Sequence, residues 1–77
     1  MHEVFVHLES SETVQEFVNT VSNMDGDFEL ISDMIILDAR SLLGIFSLNL
    51  KEPLKLRVYN DRYINHKALK RFMVQEV

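Results

Sequence analysis

The chain has no cysteine, one proline and two glycines in 77 residues. Lack of cysteine removes disulfide staples, thiol nucleophiles and sulfur-ligated metals. Two glycines, Gly26 and Gly44, cannot build a glycine-rich phosphate cradle. Basic side chains are missing from the whole first half: all 8 Lys and Arg lie at or after Arg40, while nine of the 12 acids lie between Glu3 and Asp38. The formal charge is therefore -9 over the first 39 residues and +5 over the rest, for a net of -4. Such polarity either offers two binding faces or lets the halves complement each other within the fold, and interleaved elements favour the second. No apolar run is long enough to span a bilayer, and Met-His-Glu-Val has neither region of a secretory signal, so a cytoplasmic location is expected. Composition is that of a globular protein, 47% apolar and 26% charged. A single domain over residues 1–77 should bury roughly 60% of its unfolded surface and be stable by about 4 to 11 kcal/mol.

Periodicity gives the elements. Val4, Val6 and Leu8 alternate with Glu3, Phe5 and His7 as a half-buried strand over residues 1–8. Ser10-Ser11-Glu12-Thr13 is a helix start, and Val14, Phe17, Val18 and Val21 follow at helical spacing to about Asn23. Asp25-Gly26 turns the chain into a strand from Phe28 through Leu30; Ser32-Asp33 then turns it into another, Met34 to Leu37, as a hairpin. Met34 stands where the favoured turn glycine would be. Leu54, Leu56 and Val58 alternate with Lys55, Arg57 and Tyr59 after Pro53, and Asn60-Asp61-Arg62 ends that strand. From Asn65 to Gln75 the spacing of Ala68, Leu69, Phe72 and Met73 predicts a closing amphipathic helix.

Between the last two strands lies a segment too apolar for the short helix it encodes. Ser41 is placed as an N-cap and Asn49 as the residue that closes the turn in a left-handed conformation. Leu42, Leu43, Ile45, Phe46 and Leu48 then spread over about 220° of a helical wheel, leaving Arg40, Gly44 and Ser47 as the polar wedge. One buried face needs less, so part of the arc faces solvent. The expected class is α+β, β-α-β-β-α-β-α, with helices on one face of a four-stranded antiparallel sheet. A split βαβ arrangement is the competitor.

The run Ala39-Arg40-Ser41-Leu42-Leu43-Gly44-Ile45-Phe46-Ser47-Leu48 resembles the second-helix segment of HPr, the histidine-containing phosphocarrier protein of the bacterial phosphotransferase system. Ser41, Gly44, Ser47 and Leu48 match the pattern of the Gram-positive members, and Asn49 departs from it where glycine is usual. The resemblance implies the HPr-like open-faced sandwich. It also implies a phosphate-carrying motif, His-x-Arg-Pro-Ala, at the start of the first helix. This chain has Leu8-Glu9-Ser10-Ser11-Glu12-Thr13-Val14 there, without the histidine, arginine or proline. A phosphoimidazole needs helix N–H groups and a cation around the anion, whereas Glu9 and Glu12 would repel it.

The residues themselves support no enzyme, no cofactor and no metal site. His2 and His7 have opposite strand parity, and His66 has no acidic or histidine partner one turn on. The carboxylates fall on solvated turns and helix faces, and Lys67, Lys70 and Arg71 lack the aromatic platform of a nucleic-acid site. Three expectations remain. The first is a non-enzymatic, HPr-like adaptor or regulatory protein that binds a protein partner through the 41–48 helix, with Leu42, Leu43 and Phe46 as anchors and Arg40 at the rim, and Ile45 and Leu48 in the core. The second, implied by the resemblance, is a switch in which an ATP-dependent kinase phosphorylates Ser41 and a transcription regulator binds the product; by its position alone Ser41 is a helix cap. The third is a divergent phosphocarrier acting through His7. The apolar helix could also pair two copies in a homodimer. Direct contact with nucleic acid or membrane is not expected.

Overall fold

The computed structural model describes residues 2–60, Arg62 and residues 64–74. Its elements are β1 (His2–Val6), α1 (Ser11–Ser22), β2 (Phe28–Ser32), β3 (Ile35–Asp38), α2 (Leu42–Phe46), β4 (Leu54–Val58) and α3 (His66–Leu69), the last running into a 3-10 turn at Lys70–Phe72. The strands form one antiparallel sheet in the order β1-β4-β2-β3. β1 lies at an edge with β4 inserted between it and β2, which excludes the split βαβ competitor, where the first strand has a neighbour on each side.

Alternation decides the two faces of the sheet. Val4, Leu56, Leu30 and Leu37 lie opposite one another in a row on the helix face, with Val6, Leu54, Phe28 and Val58 around them. On the open face the registers align Glu3, Arg57, Glu29 and Asp38 in one row and Phe5, Lys55, Ile31 and Ile36 in the next. Onto the helix face α1 sends Val14, Phe17 and Val21, all fully buried, and α3 sends Leu69. Phe17 meets Phe72 edge to face, ring centroids 5.3 Å apart, a geometry that adds to the area term.

Helix α1 starts as its sequence dictates: the Ser10 hydroxyl accepts the Thr13 N–H at 3.1 Å. Gly26 leaves the helix with φ 97°, a conformation that a Cβ would strain. In the β2–β3 hairpin Asp33 takes φ 54° and Met34 does not follow it to positive φ, which excludes the type I′ turn that would need both. Two helix ends differ from expectation. Asn49 keeps negative φ and its side-chain oxygen accepts the Lys51 N–H at 3.2 Å, so α2 ends without a left-handed cap. The closing helix stops at Phe72, and Met73 (φ -75°, ψ 140°) bridges to Val6 as a strand residue. His7 N–H donates to the Phe72 carbonyl at 2.8 Å and Val74 N–H to the Phe5 carbonyl at 2.9 Å. The tail thus takes up the Phe5 carbonyl and the His7 N–H on the outer side of β1, which further helical turns would have left bare. Asp61 and Gln75, expected to end β4 and the closing helix, lie outside the described residues.

Part of the split of charge along the chain resolves inside the fold. Glu3 pairs with Arg57 at 2.8 Å and Lys55 at 3.8 Å, and Glu16 with Arg71 at 3.1 Å. In each pair an acid of the first half meets a base of the second. The Arg57 hydrogen bond, with the charges of Lys55 and Arg57, holds the Glu3 carboxyl below its ordinary value against the opposing effect of desolvation.

Candidate functional site

Helix α2 is pinned at its apolar underside. Ile45 is fully buried, Leu48 nearly so, and Leu42 packs half-buried against the core. Leu43 is left 83% exposed and Phe46 39% exposed. Separated by three positions, they lie on one side of the helix and form the apolar arc that solvent meets. Of the residues expected to face a partner, these two are the exposed ones.

Arg40 is placed otherwise. Its Nη2 donates to the Met24 carbonyl at 2.7 Å and to the Gly26 carbonyl at 3.0 Å. The guanidinium also lies over the Phe28 ring, 5.3 Å from its centroid. Arg40 ties the loop after α1 to the start of α2, and its charge is engaged within the chain. Its own N–H donates to Asp38 Oδ1 at 2.8 Å.

Ser41 occupies the N-cap position, with its carbonyl accepting the Ile45 N–H at 2.9 Å. Its hydroxyl caps nothing. Instead it sits over Gly44, so close that a Cβ on Gly44 would lie 2.8 Å from Ser41 Oγ and 3.3 Å from Leu37 Cδ1. The room taken by the Ser41 hydroxyl and the Leu37 side chain, not conformational freedom, is why glycine suits that position. The capping bond expected of Ser41 is absent because the side chain turns back over the helix, and it is exposed.

At the start of α1 the structure joins residues that are far apart in sequence. His7, Glu9, Thr13, Arg71, Phe72 and Met73, with Val74, line a cavity of about 330 Å³. His7 Nδ1 lies 3.3 Å from Glu9 Oε1. Arg71 reaches Glu16 and stacks on Phe72, 4.5 Å from the ring centroid. No arginine precedes residue 40, so an imidazole and a guanidinium beside the opening turn of α1 were invisible to sequence spacing; the β1–tail bridge creates the juxtaposition. His2 and His66 also meet, ring centroids 5.5 Å apart and edge to face. Among the described residues no group of three or more metal-ligating side chains assembles, and no helix is long and apolar enough to cross a membrane.

Comparison with protein-family models and with curated proteins finds no match. Among solved structures, the crystal structure of HPr-C-His from Thermoanaerobacter tengcongensis superposes with a TM-score of 0.71 at 25% identity, covering 91% of this chain and 84% of that one. Strand order, helix placement and this superposition agree: the chain has the HPr-like fold.

Proposed function

We propose that this chain is an HPr-like protein-binding module that has given up the phosphohistidine step and engages a protein partner through α2. The observation that carries the reading is the exposure of Leu43 and Phe46 on a helix whose other apolar side chains are held by the core. Aromatic and aliphatic groups presented on a rigid element are what interface anchors require. The loop before α1 supports the loss of carrier chemistry, since the cap is a serine hydroxyl with Glu9 and Glu12 beside it. Phe46→Asp is expected to abolish partner capture while leaving the far-ultraviolet circular dichroism unchanged. A spectrum that collapses instead would assign Phe46 to the core and remove the reading.

A second reading rests on the cavity shared by His7 and Arg71. In it His7 would accept a phosphoryl group and Arg71, released from Glu16, would neutralise it. The phosphotransferase system's first enzyme and phosphoenolpyruvate should then add an acid-labile phosphate to the wild type and none to His7→Ala. Absence of labelling closes that route. Ser41 keeps a third, regulatory reading because its hydroxyl is exposed and uncommitted to the cap. With Arg40 held on two carbonyls, a phosphate there would lean on the α2 backbone. ATP-dependent labelling that survives in Ser41→Ala would end it.

A further inference from the structure

The two edges of the sheet are finished differently. In an antiparallel ladder, residues alternate between pairs that exchange hydrogen bonds and pairs whose N–H and C=O groups point away from the partner strand. On β1 the Phe5 carbonyl and the His7 N–H bond to the chain's own tail. On β3 the phase follows from the Ala39 N–H, which donates to the Phe28 carbonyl at 2.9 Å. With the register Leu30↔Leu37 and Ser32↔Ile35, Ile35 and Leu37 turn their amides toward β2, and Ile36 and Asp38 turn theirs outward. The Asp38 carbonyl is taken by the Ser41 N–H at 3.0 Å. The Ile36 N–H and C=O and the Asp38 N–H find no backbone partner among the described residues.

That bare edge is apolar. Met34 is 96% exposed, Ile35 48% and Ile36 55%, and neither Lys nor Pro guards the strand. What brackets it is acidic: Asp33 at one end and Asp38 at the other. A second copy pairing antiparallel about Ile36 would set each Asp38 opposite Met34, one position from the other copy's Asp33, so like charges gather at both ends and disfavour self-pairing. At the Asp38 end, Asp27, Glu29, Asp38 and Tyr59 line a cavity of about 280 Å³. Among the described residues none of these three carboxylates has a cationic group within 4.0 Å.

We propose that β3 is a strand-addition site for an extended segment of another protein, running antiparallel, apolar at its centre and carrying Lys or Arg near its N-terminal end. The residue opposite Ile36 exchanges both backbone hydrogen bonds with it. The residue two positions earlier falls opposite Asp38 on the same open face, where its cation enters the acidic cavity. This surface is separate from the Leu43 and Phe46 patch and stands whether or not that patch binds a partner.

The test uses the untagged protein and the peptide Thr-Lys-Val-Ile-Val-Thr-amide with the dye on its N-terminal amine and the Lys side chain free, followed by fluorescence anisotropy and by amide chemical shifts. Saturable binding is expected, with the Ile36 and Asp38 amides shifting most and gaining protection from hydrogen exchange. Glu in place of the peptide Lys should abolish binding, and Asp38→Asn should weaken it about two- to fivefold, the scale of one surface charge contact. N-methylating the peptide Ile amide, which removes the donor to the Ile36 carbonyl without touching the protein, should also abolish it. Ile36→Pro should do the same, since that N–H serves no ladder bond. Absent saturation, equal affinity for the N-methylated or Glu peptide, or β3 protection that grows with protein concentration alone would each overturn the proposal, the last by naming a second copy as the occupant.

Discussion

Arg40 separates two roles that look alike from sequence, a contact residue at an interface rim and a clamp within the fold. Truncation to Ala removes a charge-assisted bond of 2.7 Å to the half-buried Met24 carbonyl, a second of 3.0 Å to the exposed Gly26 carbonyl, and the contact with the Phe28 ring. Taking the low end for partly solvated charged bonds, about 1 to 1.5 kcal/mol for the first, less for the second and about 0.5 for the ring contact, Arg40→Ala should cost about 2 to 3 kcal/mol. Against a total of roughly 4 to 11 kcal/mol this is a large fraction. For a domain of this size it corresponds to a fall in Tm of about 10 to 20 °C. Arg40→Lys, whose single ammonium cannot reproduce the planar fork, should lose about half as much, roughly 1 to 1.5 kcal/mol. Urea unfolding followed by circular dichroism measures all three proteins, with an unchanged m-value required so that midpoints report stability. If Arg40→Ala falls within about 0.5 kcal/mol of wild type, as an ordinary surface substitution would, the guanidinium is free and the clamp is refuted.

The other predictions concern α2, the open face and the core. Ser41→Ala should cost less than about 0.5 kcal/mol, below the typical cap loss, because no capping bond is made. Gly44→Ala should be near neutral alone, its helix-propensity gain of about 1 kcal/mol offset by the contacts at 2.8 and 3.3 Å, and should become stabilising on a Ser41→Ala background; additive effects in that cycle would show that the hydroxyl is not the obstacle. Glu3, whose pKa is lowered chiefly by the Arg57 hydrogen bond, stabilises the fold above its unfolded-state pKa, and that contribution is lost as pH falls through the lower folded-state value. Glu3→Gln should therefore flatten the acid side of the stability profile below roughly pH 4.5, and a profile identical to wild type would exclude Glu3 as a source of the acid dependence. Phe17→Ala, which empties a fully buried site and breaks the edge-to-face contact with Phe72, should cost about 3 to 5 kcal/mol; a cooperative thermal transition within a few degrees of wild type would contradict that packing.

Several features were legible before any coordinates because their causes are local. Ser10 caps α1 because a hydroxyl two or three residues before an orphan N–H needs nothing else from the chain. Val4, Leu30, Leu56 and Val58 face the helices because alternation admits one apolar face per strand. The tail departs from its helical expectation for an equally physical reason: Met73 satisfies a helical spacing and a strand parity alike, and the choice falls to β1, whose outward backbone groups sit far away in sequence. Arg40 and Ser41 show the same limit, since a guanidinium or a hydroxyl takes whichever acceptor or gap the fold brings near.

The amino-acid order alone determined the four strands and the helices up to Phe72, which side of each strand is buried, and that the chain lacks the His-x-Arg-Pro motif before α1, because periodicity and residue chemistry act over a few neighbours. Tertiary structure alone decided that β4 lies between β1 and β2, that His7 and Arg71 share a cavity, that Arg40 is a clamp, and that the tail bonds to one sheet edge and not to the other. These depend on which distant groups are brought within bonding reach, and that is settled by how the layers pack.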